Sequence, residues 1–194
     1  RAILRTVSAP RRSRGAFHPK HPPTAMSLIK KLSARLQNHP KRIVYPEGAD
    51  PRILQAARQF STRKLGVPIL LGKREKISEI AASIDVRLDG MKIIDPVSSD
   101  DFGELCRLMK AFPRFKALDD DGIRNLVSNP NYYSTLMVAS GRADAMLAGA
   151  TTVSSGALRP IFQIIPLQKG FKTASSIMIL STGRPEIGAD GDLF

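Results

Sequence analysis

Apolar residues recur first at helical and then at strand spacing from position 27 onward. Ser27 to His39 places Leu28, Ile29, Leu32 and Leu36 on one face, at i, i+3, i+4 and i+7 steps. That spacing predicts a helix capped by Ser27 and stopped by Pro40. Arg42 to Tyr45 is a short apolar strand, and Pro46-Glu47-Gly48-Ala49-Asp50 is a turn. Asp50 is placed to cap a helix from Pro51 to Lys64, with proline at its first position. That helix would bury Ile53, Leu54, Ala57 and Phe60, and Gly66 is expected to end it. Val67 to Leu71 is a second strand. A strand–helix–strand unit of about thirty residues predicts a parallel pair with a right-handed crossover. A helix from Arg74 to Ala82 and a strand from Met91 to Ile94 extend the order to β–α–β–α–β. The expected class is α/β, with a doubly wound parallel sheet covered on both faces.

Three helices follow in the pattern, at Asp100 to Lys110, Asp119 to Val127 and Tyr132 to Ser140, the last stopping at Gly141. A basic connection at 110–116 separates the first two. The stretch from Ala143 to Ile165, ADAMLAGATTVSSGALRPIFQII, then changes character. An apolar run ends in small residues, and four hydroxyl residues follow: Thr151, Thr152, Ser154 and Ser155. A buried strand feeding a hydroxyl-rich turn at a helix N-terminus suits an anion, because free N–H groups, hydroxyls and the helix dipole converge there. A plain, well-capped strand–helix connection is the alternative. Pro160 disfavours helical geometry at Arg159, so Arg159 is expected at a kink between two helices, facing a ligand. Thr173 to Ser181 reads as a strand and 182–192 as a turn-rich loop. Leu193-Phe194 resembles the opening of another strand, which sets the expectation of a chain cut in mid-domain.

Composition is that of an ordinary globular protein, 42% hydrophobic and 24% charged, with no run long enough for a membrane span. The single cysteine, Cys106, excludes an internal disulfide and reads as an inert thiol on a helix. The net charge of +13 suggests nucleic acid until its distribution is considered. Residues 1–25 hold six of the cations and no acid. They are proline-rich, lack apolar periodicity and are expected to be a disordered basic extension, an upstream addition before Met26 or a transit peptide. The remainder has no tryptophan to stack bases, and a moderate basic surplus suits anionic small substrates. His18, His21 and His39 lack metal-ligand spacing. Phosphate-loop, dinucleotide-binding and Gly-x-Ser-x-Gly motifs are missing from the sequence. Glu47, at the end of a strand, reads as part of a turn, with a functional role as the alternative.

The run PNYYSTLMVASGRADAMLAGATTVSSGALRPIFQII, from Pro130 to Ile165, resembles the phosphate acetyltransferase family. That family takes in the related phosphate butyryltransferases and the carboxyl-terminal domains of some malic enzymes. KRIVYPEGADPRILQAARQFSTRKLGVPILLG, residues 41–72, and TASSIMILSTGRPEIGADGDLF, residues 173–194, resemble its first strand–helix–strand and a later strand and hairpin. The resemblance implies a three-layer α/β/α, isocitrate-dehydrogenase-like two-domain fold with a cleft between the domains. The expected division is an extension at 1–25, a first domain at 26–148 and a second domain opening at 149. It implies reversible acyl transfer between acetyl phosphate and coenzyme A, by attack of the CoA thiolate on the acyl carbonyl. Such chemistry needs a base for the thiol and cationic donors for phosphate. No metal or tightly bound cofactor is implied, CoA being a substrate. Arg159 matches the arginine of the family's Leu-Arg-Pro motif, and 149–155 match its substrate loop. Thr151, Thr152, Ser154 and Ser155 are therefore expected to contact substrate. Thr152-Val-Ser-Ser-Gly156 stands where the family often has His-Thr-Thr-Ala-Asp. A further basic residue matches either Arg107 or Arg114, and Arg114 is the one chosen. The family's Ser-Arg pair and base fall beyond Phe194, so the chain alone is expected to be inactive. The resemblance also implies a cytoplasmic homodimer, with neither nucleic acid nor membrane as partner.

Overall fold

A computed structural model describes residues 28–181 together with 184, 187, 188, 192 and 193. The basic extension, Met26 and the Ser27 cap lie outside the described residues. The elements are α1 (Leu28–Asn38), β1 (Lys41–Tyr45), α2 (Pro51–Thr62), β2 (Gly66–Leu71), α3 (Arg74–Ser83), β3 (Lys92–Ile94) and α4 (Phe102–Ala111). After a single 3-10 turn at Pro113–Phe115 come α5 (Asp120–Ser128), α6 (Pro130–Ala139), β4 (Ala145–Met146), α7 (Ser154–Ile164), β5 (Leu180–Ser181) and β6 (Asp192–Leu193).

Strands β1 to β4 form one parallel sheet in the order β3-β2-β1-β4. Alternation along the strands divides the core into two faces. Val44, Ile69, Leu71 and Ile94 face α4, α5 and α6 through Leu105, Met109, Ile123, Val127, Tyr133 and Leu136. Tyr45 and Leu70 face the opposite side, where α2 contributes Ile53, Leu54 and Ala57 and α3 contributes Ile77 and Ala81. The result is three layers, helix–sheet–helix. The α6 helix is apolar on nearly every side because it is enclosed: every residue from Asn131 to Met137 is buried. α1 has the expected amphipathic spacing but none of its residues is buried, and Ile29 is 63% exposed.

Asp50 caps α2 by accepting from the Arg52 N–H at 2.9 Å, with Pro51 in the first turn, as the spacing predicts. The end of α2 differs from expectation. Lys64 takes the positive φ (56°) that closes the helix, while Gly66 begins β2. Glycine at 66 serves strand pairing instead: a Cβ there would lie 1.9 Å from the Lys41 carbonyl oxygen. The apolar run Ala145–Ala150 pairs only over Ala145 and Met146 before the chain turns away. The strand expected over 173–181 is regular only at Leu180–Ser181. The expected helix break at Arg159-Pro160 is absent. α7 runs unbroken through Pro160, whose ring is buried between Ala157 and Ile164 on one face of the helix.

Leu28–Met178 forms one compact unit. Within this unit α7 packs on α6 and buries Ala157 and Ile164. The described residues from Ile179 onward belong to a second unit, in which β5 and β6 pair antiparallel, Leu180 with Leu193 and Ser181 with Asp192.

Candidate functional site

From β1 the chain winds outward through β2 to β3, then returns to place β4 on the other side of β1. The crevice at the carboxyl ends of β1 and β4 is thus the point where strand order reverses, the usual ligand position in open α/β sheets. Two segments meet there: the turn after β1, carrying Glu47, and the loop after β4, residues 149–152.

Glu47 is bound by that loop through five hydrogen bonds. The N–H groups of Gly149 and Ala150 donate to Oε2 at 3.0 and 2.7 Å. The N–H groups of Thr151 and Thr152 donate to Oε1 at 2.6 Å each, and the Thr151 hydroxyl donates to the same oxygen at 2.8 Å. Successive backbone donors form a concave nest of positive potential, and Gly149 bends the chain into it at a φ of 109°. Burial pushes the Glu47 carboxyl up, but the hydrogen bonds from Thr151, Ala150 and Thr152 outweigh it and bring the value down to about 2. The same turn grips the loop a second time. Asp50 holds the Arg52 guanidinium at 2.9 Å, and Arg52 donates to the Ala150 carbonyl at 2.8 Å. Gly48 lets this turn lie flat on the end of β2, since a Cβ would come within 2.6 Å of the Leu71 carbonyl oxygen.

The hydroxyl-rich loop is therefore an anion receptor whose backbone donors are filled by a carboxylate of the chain itself. The sequence marks the receptor and treats Glu47 mainly as a turn residue. Their meeting depends on β1 and β4 being neighbours. Ser154 and Ser155 open α7 and are exposed, and the N-cap, Val153, supplies no side-chain cap. Arg159 lies on the second turn of α7, exposed, with no acid paired to it among the described residues. It sits within electrostatic reach of Tyr132, whose hydroxyl donates to Gln163 at 2.6 Å; burial raises the Tyr132 phenol and Arg159 opposes that rise.

Arg114 is not brought to this group. It lies in the 3-10 turn beside Phe162 to Pro166, at the far end of α7. Eleven helical residues span about 16 Å, which separates it from the loop. Arg107 lines a different groove with Cys106, Lys110 and Arg124. There burial raises the Cys106 thiol, and Arg124 and Arg107 only partly offset that rise.

Between the β1–α2 turn, α3 and the start of α6 is an open cleft of about 530 Å³. It is lined by Glu47, Asp50, Lys76, Asn131, Thr151 and Thr152 among apolar residues. Its size is that of a small-molecule site. Among the described residues no helix is long and apolar enough to cross a membrane.

A family profile described as phosphate acetyl/butaryl transferase matches residues 27–193. The phosphate acetyltransferase of Acetivibrio thermocellus is 30% identical over 166 residues, covering 86% of this chain and 49% of that protein. The phosphate acetyltransferase of Staphylococcus aureus strain Mu50 is 31% identical over 156 residues, covering 80% and 47%. Among solved structures, the EutD phosphotransacetylase from Staphylococcus aureus superposes with a TM-score of 0.66 at 29% identity, covering 74% of this chain and 44% of the other. A phosphotransacetylase from Streptococcus pyogenes gives 0.65 at 26% identity, covering 75% and 45%. The chain spans about half the length of the curated relatives it matches.

Proposed function

The chain belongs to the phosphate acetyl/butaryl transferase family, and on that premise we propose that it carries substrate-binding groups for acetyl transfer between acetyl phosphate and coenzyme A. The observation that carries this reading is that α7, with an exposed Arg159 to which no acid is paired among the described residues, begins directly after a hydroxyl-rich loop that Glu47 holds in place. A guanidinium fork matches phosphate geometry, and two exposed serines at an uncapped helix start add donors beside it. With the backbone donors of 149–152 engaged by Glu47, substrate contact falls to the side chains of Thr152, Ser154, Ser155 and Arg159. The Thr151 hydroxyl serves the loop. Arg114, distant from this group, would act on a separate part of a long ligand such as CoA.

Catalysis requires a base to take the thiol proton of CoA and donors aimed at the departing phosphate. Arg159 would stabilise charge on that phosphate. The base is to be sought in the part of the relatives' length that this chain does not span. CoA is a substrate in this scheme. The family's breadth extends the acyl group from acetyl to butyryl, and a cytoplasmic, homodimeric enzyme fits the reading.

Acetyl-CoA formation from acetyl phosphate and CoA by the intact protein tests the activity. The binding claim is read on the 194-residue chain by titration calorimetry. Arg159→Ala is expected to weaken inorganic phosphate by about tenfold, the loss of one charge-assisted contact. Unchanged affinity would return Arg159 to the solvated surface of α7.

A further inference from the structure

Among the described residues that line the open cleft between the β1–α2 turn, α3 and the start of α6, Lys76 is the one cation. Its place is fixed by α3. Lys76 lies in the first turn of that helix, next to Ile77, which is fully buried with Leu54 and Leu70. Lys76 itself is exposed, and no carboxylate is paired to it among the described residues. The two acids of the cleft are engaged elsewhere, Glu47 by the 149–152 loop and Asp50 by Arg52. Lys110 shows the contrast, since Asp120 forms an ion pair with it. An exposed, unpaired primary amine set in a cleft is available as a nucleophile once it gives up its proton.

Thr151 and Thr152 line the same cleft. Thr152 is also among the side chains proposed for substrate contact, so a substrate brought to that group lies at the border of the cleft that holds Lys76. An acyl phosphate is an activated acyl donor, whose phosphate departs when a nucleophile attacks the carbonyl carbon. The ammonium form of a lysine attracts such an anion. An amine touching the phosphate then has the acyl carbon about 3–3.5 Å away, a near-attack distance. A donor that can acylate a thiol can acylate a neighbouring amine by the same displacement.

We propose that Lys76 is a self-acylation site, which takes the acyl group of an acyl phosphate when no acceptor thiol is present. The neutral Nζ attacks the acyl carbon, the N–C bond forms, and the C–O bond to phosphate breaks. Inorganic phosphate leaves with the bonding electron pair, and the nitrogen loses its extra proton to solvent. The product is a neutral amide. It removes the cation of the cleft and sets an apolar group in its place, so anionic ligands are attracted less. Accumulated acyl phosphate thereby limits its own uptake. The nucleophile follows from the cleft; the identity of the donor rests on the acetyl-transfer reading.

Incubation of the 194-residue chain with isotopically labelled acetyl phosphate, followed by peptide mass spectrometry, measures the acetylation rate of each lysine. Lys73 is the internal reference for unassisted reaction, being exposed and one turn away but outside the cleft lining. Lys110 is the reference for a paired amine. Lys76 is expected to react about tenfold faster than either, and added inorganic phosphate is expected to slow Lys76 selectively. Equal rates at Lys76 and Lys73, or labelling of Lys76 indifferent to phosphate, would overturn the proposal. Lys76→Arg keeps the charge and cannot be acylated. Acetyl phosphate treatment is expected to weaken inorganic phosphate binding in the parent and not in this variant; the same loss in both would overturn the self-limiting role. The two readings fail separately. Acetyl-CoA formation by the intact protein, with Lys76 labelled no faster than Lys73, would keep the activity and remove the modification. Selective, phosphate-sensitive labelling of Lys76 in a protein that forms no acetyl-CoA would keep the modification and remove the activity.

Discussion

Protonating Glu47 would weaken five hydrogen bonds at once, because four backbone N–H groups and a hydroxyl converge on its two oxygens. Its folded value, about 2, lies below the 4.5 of a free glutamate. The unfolded chain therefore takes up a proton that the folded chain refuses, and stability falls as pH drops through the interval between those values. Asp144, bound by the side chain and N–H of Arg42, is likewise brought down to about 2 and adds to the same interval. Replacing Glu47 by Gln keeps the shape and turns an –NH2 toward N–H donors. The expected cost at pH 7 is about 2–3 kcal/mol, with a shallower acid dependence than the parent. Urea melts at pH 7 and at pH 3.5 measure both quantities. A variant with the parent's acid slope would mean that Glu47 is not held as described. At this scale the sequence is informative about type and weak about partner. Thr151, Thr152, Ser154 and Ser155 identify themselves as anion-seeking by spacing. Nothing local distinguishes a substrate from a carboxylate about a hundred positions earlier in the chain.

At the scale of elements, apolar periodicity located α1 to α6 and the first three strands within a few residues. Local chemistry identified the Asp50 cap and the Gly141 stop, where φ is 72°. Two misreadings have the same origin. Gly66 reads as a helix terminator because glycine favours positive φ, yet its role is to let β2 pass the Lys41 carbonyl. Pro160 reads as a break because proline disfavours helical geometry at the residue before it, yet α7 continues through it with Pro160 buried beside Ala157 and Ile164. Both outcomes are set by a neighbour in space. Gly66→Ala is expected to destabilise the chain by about 3 kcal/mol or more, since backbone rather than a yielding side chain blocks the new methyl. Equilibrium unfolding checks this, and a loss under about 1 kcal/mol would mean that β1 and β2 can separate to accept it.

Over the whole molecule, both core clusters lie within 44–164, inside the unit Leu28–Met178. That segment expressed alone is expected to melt in one cooperative transition, observable by circular dichroism. A broad, non-cooperative melt would show that the core depends on residues outside it. The order of strands and helices determined the α/β class, because short apolar runs separated by amphipathic helices can bury themselves only as a covered parallel sheet. The family followed from the motifs of 41–72 and 130–165. What the tertiary structure alone decided is which groups meet. β4 settles beside β1 rather than beside β3, and this brings Glu47 into the loop at 149–152, while Arg114 lies at the other end of α7 from that loop. Periodicity records which face of each element is buried. The choice of neighbouring strand is made by the packing of all the helices together, and no local stretch of sequence carries that information.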